Sequence, residues 1–382
     1  MVERAPASAP VDAVVIGGGI AGAAAGHFLS TAGARVVLLE REPVLAHHTT
    51  GRSAAVYLEN YGGDVVRRLA LASRAFLEEP GEGLAEAPLL TPRGLLDVAA
   101  PGLDDLVVEH ARRGAALVPG IRALTPDQAA EACPVLRPEM LAGAVLEPDA
   151  RDIDVMGLHQ AFLRGIRAVG GEVRAHAPVT GIERVGGDWQ VTTPAAQWQA
   201  PLVVNAAGAW GDRLAGLAGV RPVGLRPLHR TAFIATLPSG VDARAWPLVQ
   251  DLAEGWYFKP EGDALLCSLA DEVLVEPGDA RPRDEDVALA LERINEVTTL
   301  GLRHVRTAWA GLRTFAPDRV PVVGVDPDAP GFVWVVGLGG FGIMAAPAIG
   351  ELAAASALGT QVPPALAALG ATFADYGVTR LR

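Results

Sequence analysis

The sequence predicts a mixed α/β (α+β) fold, in which a Rossmann-like domain is combined with a discontinuous antiparallel-sheet domain for the substrate. Three observations predict it: a strand–turn–helix–strand pattern near the start, apolar strands of the same kind far along the chain, and sheet-like alternation between them. We therefore predict a dinucleotide-binding domain from residues 1–83, 151–220 and 316–382. Residues 84–150 and 221–315 would form the substrate-binding domain.

The length and charge of the chain limit the classes of protein to which it can belong. A chain of 382 residues suits two domains, and a formal charge of −12 without basic blocks argues against nucleic acid as a partner. Met1–Pro10 lacks the pattern of an export signal, and no apolar stretch has the length of a membrane span. We therefore expect a cytoplasmic enzyme with a small-molecule substrate.

Cys133 and Cys267 form no CxxC pair, which favours two buried thiols over a redox centre.

The N-terminal pattern predicts a dinucleotide site. Strands at Ala13–Ile16 and Arg35–Leu39 flank a helix at Ala21–Ala32, and the turn Gly17-Gly18-Gly19-Ile20-Ala21-Gly22 fits GxGxxG. In such a turn the glycines allow a tight bend, close approach of backbone to a pyrophosphate, and packing of helix on strand. The helix N-terminus then offers its N–H groups to the phosphates. Glu40 ends the second strand, where a carboxylate can bind ribose hydroxyls.

The rest of the chain divides into strands, helices and irregular regions. Proline and glycine predict irregular structure over Pro80–Gly102 and Pro119–Pro148. Apolar spacing predicts helices over Asp64–Glu79, Val155–Val169, Asp284–Thr299 and Gly342–Leu358. Strands are predicted at Glu172–Arg174, Pro178–Val185, Trp189–Thr193, Leu202–Val204, Arg230–Leu237, Trp256–Lys259, Leu265–Leu269, Pro321–Val325 and Phe332–Val336.

The glycine fingerprint alone does not distinguish NAD from FAD, and five further motifs favour FAD. They are Glu40-Arg41 with His47–Ala55, Asn205–Trp210, Trp309–Arg313, Pro321–Gly324 and Gly337–Gly342. On these motifs the chain resembles the FAD-dependent D-amino-acid oxidase-like (DAO) family over nearly its whole length. Within that family the likeness is greatest to the D-amino-acid dehydrogenases that act on D-arginine, through segments such as Ala72–Phe76, Leu158–Arg167 and Val204–Arg221.

The resemblance implies a clamp for a substrate carboxylate. Arg313 matches the arginine that grips the carboxylate, for which a planar guanidinium is suited, and Arg221 matches a second contact to it. Tyr61 matches a tyrosine that covers the substrate. Glu86 matches the acid that recognises a cationic side chain.

The predicted substrate pocket is also lined by Val56, Gly311 and Met344. Val56 and Met344 stand where the D-arginine enzymes have a histidine and a glutamine, so this pocket is more apolar. A basic D-amino acid such as D-arginine and a hydrophobic one are therefore both open as substrates.

The resemblance implies that FAD is bound without a covalent bond. No cysteine lies near Arg313 to attach it, and His47 and His48 correspond to no flavin bond in the most similar enzymes. The residues expected to contact FAD are Gly17, Gly19, Ile20, Ala21, Gly22, Glu40, Arg41, Thr49, Thr50, Arg52, Ser53, Ala54, Val179, Ala207, Gly208, Gly339, Gly340, Phe341, Gly342 and Ile343.

The expected reaction is oxidation of an amino acid at its Cα–N bond. The α-hydrogen would leave as a hydride to flavin N5, and the imine would hydrolyse to a 2-oxo acid and ammonia. The last helix, which we expect to begin within Gly339–Met344, would face the flavin and stabilise its reduced anion. Oxidation of glycine or an N-methyl amino acid, as in sarcosine oxidases, is the alternative on the same fold, and a non-catalytic flavoprotein is another. The electron acceptor, a quinone or O2, is left open.

Overall fold

The secondary structure is given by a computed structural model that describes residues 11–382. The strands are β1 (Ala13–Ile16), β2 (Val36–Leu39), β3 (Val56–Tyr57), β4 (Leu90–Pro92), β5 (Leu95–Ala99), β6 (Arg122–Leu124), β7 (Gly143–Glu147), β8 (Arg151–Ile153), β9 (Glu172–Arg174), β10 (Gly181–Val185), β11 (Asp188–Thr192), β12 (Gln197–Ala200), β13 (Leu202–Asn205), β14 (Arg226–Thr236), β15 (Leu248–Asp251), β16 (Tyr257–Glu261), β17 (Ala264–Ser268), β18 (Val273–Leu274), β19 (Val305–Phe315), β20 (Val322–Val325) and β21 (Phe332–Val336).

The helices are short to medium in length. They are α1 (Ile20–Thr31), α2 (Asp64–Glu78), α3 (Asp104–Ala115), α4 (Pro126–Ala132), α5 (Val155–Ala168), α6 (Gly211–Leu217), α7 (Asp284–Val297), α8 (Ala346–Leu358), α9 (Pro364–Ala368) and α10 (Phe373–Tyr376). Within residues 11–382, none of them has both the length and the apolar character that a bilayer crossing requires.

The first large sheet has the strand order β20-β21-β13-β1-β2-β9. All of its pairings are parallel except that of β20 with β21. Helices α1, α5 and α8 pack on one face, and α1 and α8 approach closely because Gly350 lies against the backbone of Ala24. The small sheet β10-β11-β12 covers the other face with buried residues that include Trp198. Burial on both faces explains why these strands are continuous apolar runs.

The second large sheet has the order β18-β14-β17-β16-β15-β5-β7-β6, with β19 paired to β14. Its pairings are antiparallel except that of β15 with β5. Helix α7 packs on it through Ala290 and Ile294. The first sheet draws its strands only from residues 1–83, 151–220 and 316–382, and the second only from residues 84–150 and 221–315.

Three of the predicted regions differ from the structure. Helix α8 begins at Ala346 rather than Gly342, and residues 340–345 form turns, because Pro347 has no N–H to donate and is tolerated only in the first turn of a helix. The regions Pro80–Gly102 and Pro119–Pro148 are not irregular, since they contain β4 to β7 and α4. The strand segments there have only three to five residues, too few for a clear apolar period.

The two cysteines are free and fully buried, as predicted. Burial raises the pKa of the Cys133 thiol to about 12 and raises that of Cys267 as well. Both thiols are therefore protonated and unreactive at neutral pH.

Candidate active site

A cavity of about 550 Å³ lies at the carboxyl ends of the first sheet's strands and extends to the second sheet. Ile16 and Leu39, the last residues of β1 and β2, line it together with Val336 at the end of β21. Ligands of open parallel sheets bind at this edge. On the far side the wall is formed by Gly311, Leu312 and Arg313 of β19.

The glycine-rich turn has the geometry that its sequence predicts. Gly17 has a φ of +119°, and a Cβ there would collide with the carbonyl oxygen of Ala206. A Cβ at Gly22 would collide with the carbonyl of Gly17, which shows how closely α1 packs on the turn. Gly19 is the N-cap of α1 and has no side chain to cap the helix, and the first turn of the helix borders the cavity at Ile20 and Ala21.

Two side chains hold this turn in place. Glu40 accepts a hydrogen bond from the Gly18 backbone N–H through Oε2 at 2.7 Å, and from the Glu42 N–H through Oε1 at 2.8 Å. The Thr50 hydroxyl accepts a bond from the N–H of Ile20 at 3.0 Å. Glu40 therefore has a structural role that the sequence analysis missed, while its expected contact with a ribose stays a prediction.

The segment Thr49–Arg52 is attached to the second sheet. Thr49 donates a hydrogen bond to the carbonyl of Leu312 at 2.9 Å, and Nη1 of Arg52 donates to the carbonyls of Ala280 and Ala310 at 3.0 Å. Trp309 in turn donates to the carbonyl of Arg52 at 3.0 Å. These bonds fix the segment between the two sheets, on the wall of the cavity.

A second, smaller cavity of about 80 Å³ adjoins the first. Arg313 and Gly340 line both cavities, and Tyr61 lies in the smaller one, where its hydroxyl is 3.3 Å from Nη1 of Arg313. That bond is the one hydrogen bond of the Arg313 side chain within residues 11–382. The other donors of the guanidinium are therefore available to a ligand.

Arg230 is a second buried cation that the sequence analysis missed. It lies on β14 opposite Gly311 of β19, so Arg230 and Arg313 project from the same face of neighbouring strands. Arg230 lines both cavities and is only 7% exposed. Burial, followed by the nearby charge of Arg313, lowers the pKa of Arg230. The guanidinium stays protonated at physiological pH, because its usual pKa is above 12.

Two of the predicted substrate contacts, Arg221 and Glu86, are not among the residues that line either cavity. Arg221 is exposed in the loop before β14. The Glu86 side chain is 91% exposed, and its carboxylate lies 3.8 Å from Arg164 on the surface. Neither residue therefore borders the cavities, whereas Arg230 lines both of them.

The other predicted residues lie at or beside the cavities. Val56 and Met344 line the smaller cavity with Tyr61. Phe341 lies behind the wall, with its ring 5.3 Å from that of Tyr61. The remaining predicted residues that line the larger cavity are Gly17, Gly19, Ile20, Ala21, Glu40, Arg41, Thr49, Thr50, Arg52, Ser53, Ala54, Val179, Ala207, Gly208, Gly311, Gly339, Gly340, Gly342 and Ile343.

Several polar residues of the cavities were not predicted. Tyr257, Gln250 and Glu254 belong to the smaller cavity. At the larger one, His48 lies 3.0 Å from Glu42 and stacks at 4.7 Å against Trp210. Trp210 lies within a motif that carries the family resemblance, whereas the residues of β15 and β16 reach the site through strand pairing that no local pattern indicates.

The residues of the larger cavity fit FAD. The cavity runs from Glu40 and Val179, at the dinucleotide end, past the N-terminus of α1 to Gly311 and Arg313. Gly19 leaves room there, since a Cβ would come within 3.1 Å of Thr50 Oγ1. A helix N-terminus and a glycine cradle suit a pyrophosphate, and the β19 end suits an uncharged ring system.

Comparison with known proteins agrees with this fit. The family model described as DAO, FAD dependent oxidoreductase, matches residues 12–356. Human mitochondrial dimethylglycine dehydrogenase is 25% identical over 377 residues, which cover 91% of this chain and 43% of that protein. Human mitochondrial sarcosine dehydrogenase is 28% identical over 364 residues, covering 89% of this chain and 39% of that protein. The chain thus spans less than half the length of these curated relatives.

A solved structure shares the whole fold. The glycine oxidase from Geobacillus kaustophilus superposes with a TM-score of 0.82 at 24% sequence identity, over 93% of this chain and 96% of that one. The match includes both large domains, because almost all of each chain is covered.

Proposed function

The chain belongs to the DAO family of FAD-dependent oxidoreductases, and from this premise we propose that it oxidises the C–N bond of an N-methylated amino acid of the glycine type. The observation that carries the proposal is the position of Arg313, half-buried between the two cavities with free donors beside Tyr61. A free guanidinium in such a site binds a carboxylate through paired, charge-assisted hydrogen bonds.

The lining of the smaller cavity favours a substrate with a small apolar group on its nitrogen atom. Val56, Leu58 and Met344 offer methyl and methylene groups next to the carboxylate site. An N-methyl group can be buried against them, which is worth about 0.8 kcal/mol per carbon atom.

The FAD supplies the acceptor for the two electrons of the oxidation when it is bound. The residues of the chain have to bind and orient the substrate. Arg313 and Arg230 hold the carboxylate on one wall, and Tyr61 fixes the guanidinium of Arg313 by its hydroxyl. Gly311, which lies opposite Arg230 on the neighbouring strand, has no side chain and so leaves space for the substrate beside Arg230.

Oxidation of a basic D-amino acid has less support than oxidation of an N-methylated amino acid. Two curated relatives, the human dimethylglycine and sarcosine dehydrogenases, are named for N-methylated glycines, and Glu86, the acid expected to select a cationic side chain, lies on the surface.

The products and the flavin spectrum test the proposal together. The FAD-loaded protein is mixed without oxygen with sarcosine, N,N-dimethylglycine, glycine, D-alanine and D-arginine, and bleaching of the flavin is followed. We expect the N-methylated compounds to bleach it fastest and to release formaldehyde, since water adds to the oxidised N-methyl carbon and the C–N bond then breaks. Faster bleaching by D-arginine, with a 2-oxo acid and ammonia as products, would contradict the proposal.

A further inference from the structure

His229 is buried on β14 next to Arg230, and both of its ring nitrogens face acceptors. Nδ1 lies 2.9 Å from a carboxylate oxygen of Asp271, and Nε2 lies 2.8 Å from the carbonyl oxygen of Arg281. A carbonyl oxygen can only accept, so Nε2 carries a proton, and the carboxylate favours a proton on Nδ1 as well. The His229 ring is therefore held as an imidazolium, paired with Asp271 in a site where both side chains are 5% exposed.

The partner of His229 lies in the segment that holds Arg230. The carbonyls of Ala270 and Asp271 accept hydrogen bonds from Nη2 and Nε of Arg230 at 2.8 and 3.1 Å. The Asp271 carboxylate also accepts from the backbone N–H of Thr231 at 2.8 Å. The segment Ala270–Glu272 is thus bound to β14 on both sides of Arg230.

Glu272 provides only part of the counter-charge for Arg230. It is 3.5 Å from Arg230 but makes two closer contacts, at 2.9 and 3.0 Å, with Arg319. The orientation of Arg230 therefore depends mainly on the two carbonyls. Ala270 has a φ of +59°, a conformation that costs energy for a residue other than glycine and persists only where neighbouring contacts hold it. The Asp271 carboxylate provides such contacts, to the His229 ring and to the Thr231 N–H.

We propose that His229 and Asp271 are positioning residues for substrate binding: their ion pair fixes the segment whose carbonyls orient Arg230 toward the substrate carboxylate. The proposal rests on the proposed function in so far as Arg230 and Arg313 bind a carboxylate. His229 itself does not line either cavity.

The proposal predicts a dependence of carboxylate binding on pH. The charged or titratable groups that face His229 are Asp271, Asp286 at 3.9 Å and Arg283. The hydrogen bond to Asp271 raises the pKa of His229, and burial opposes it. Because the folded-state pKa is raised, the ion pair is complete at low pH and is lost as the pH rises through that pKa.

Binding of acetate to the FAD-loaded protein measures the effect directly. The dissociation constant is read from the change in flavin absorbance from about pH 6 to about pH 9, the range in which a histidine titrates. For the unmodified protein we expect weaker binding at the alkaline end. Asp271→Asn should weaken acetate binding about tenfold at neutral pH and shift the transition to lower pH, while His229→Asn should abolish the transition.

Controls separate positioning from folding. His304→Asn changes an exposed histidine and should leave acetate binding unchanged. If Asp271→Asn and His229→Asn lower the melting temperature but bind acetate as the unmodified protein does at every pH, the pair is only structural and the proposal is wrong. A flat pH profile or no acetate binding in the unmodified protein would also overturn it, even if the His229 variant does not fold.

These experiments distinguish a failure of the positioning role from a failure of the proposed function. If none of the amines bleaches the flavin but Asp271→Asn still weakens acetate binding, the substrate assignment is wrong and the positioning role stands. If sarcosine bleaches the flavin and both variants keep its KM, the positioning role is wrong and the assignment stands.

Discussion

Glu40 is hydrogen-bonded to the backbone N–H of Gly18 at 2.7 Å, so the carboxylate at the end of β2 holds the glycine-rich turn that follows β1. Its second oxygen accepts from Glu42 and fixes the chain that continues along the cavity. One side chain thereby connects the two parts of the backbone that lie at the dinucleotide end of the site.

Glu40→Ala should weaken FAD binding about 10- to 100-fold, because two charge-assisted hydrogen bonds to backbone are lost and the turn is released. Isothermal titration of the flavin-free protein with FAD measures this. Glu183→Ala, which removes an exposed carboxylate from β10, is the matched control and should have no effect. Equal FAD affinity of the Glu40 variant would show that the turn holds its shape without this carboxylate.

Arg313→Leu should raise the KM for the substrate at least about a hundredfold, since the paired bonds to the carboxylate are removed. FAD should remain bound, because the dinucleotide end of the cavity is unchanged. Flavin absorbance and steady-state kinetics check both points. Arg303→Leu, at an exposed arginine, is the control. Unchanged kinetics of the Arg313 variant would remove this residue from the site.

Gly340→Ala should raise KM about tenfold through a displaced guanidinium, since small misplacements in a site are costly. A Cβ at position 340 would lie 2.9 Å from Nη1 and 3.0 Å from Cζ of Arg313, closer than normal contact. Gly216→Ala is the control, because a Cβ there meets no atom within 4 Å. If Gly340→Ala and Gly216→Ala have the same KM, a shift of the Arg313 guanidinium does not affect substrate binding.

Glu86→Gln should leave the order of preferred substrates unchanged, because its side chain is 91% exposed and absent from both cavities. Glu254→Gln makes a useful comparison, since Glu254 lines the smaller cavity. The rate of flavin bleaching by D-arginine and by sarcosine gives the preference. A specific loss of D-arginine oxidation in the Glu86 variant would restore the role first expected for this residue.

Glu147→Gln should stabilise the protein above neutral pH and have little effect near pH 5. Burial, with smaller contributions from the charges of Asp97 and Glu59, raises the pKa of Glu147 from 4.5 to about 7. The folded state therefore binds the proton more tightly, and the free energy of unfolding falls as the pH rises from 4.5 to about 7, by about 3 kcal/mol in all. Melting curves at several pH values measure it. Glu139→Gln, at an exposed site, should show no such difference, and a pH-independent gain at position 147 would contradict the explanation.

Local patterns predicted the dinucleotide end of the site well. The turn Gly17–Gly22 and the strands on either side lie as the glycines and the apolar runs indicate, because bend, close approach and burial are each decided within a few residues. The helices α2 and α5 likewise begin at the predicted residues, Asp64 and Val155.

The substrate end could not be predicted in the same way. Whether Arg221 or Arg230 faces the cavity depends on the pairing of β14 with β19, which joins residues about 80 positions apart in the sequence. Arg230 lies on the wall because it is opposite Gly311 in that register. Glu86 was placed by resemblance alone, and a loop position transfers poorly between distant relatives since loops vary most.

The lining of the FAD cavity begins at Ile16 and is completed only at Ile343. Strand β21, which borders the cavity at Val336, pairs with β13, which precedes it in the chain, so this wall of the cavity forms only after β21 has been synthesised. A nascent chain therefore contains the glycine-rich turn long before the closed site for the cofactor can form. The cofactor can therefore be enclosed only after the chain has been synthesised at least as far as Ile343.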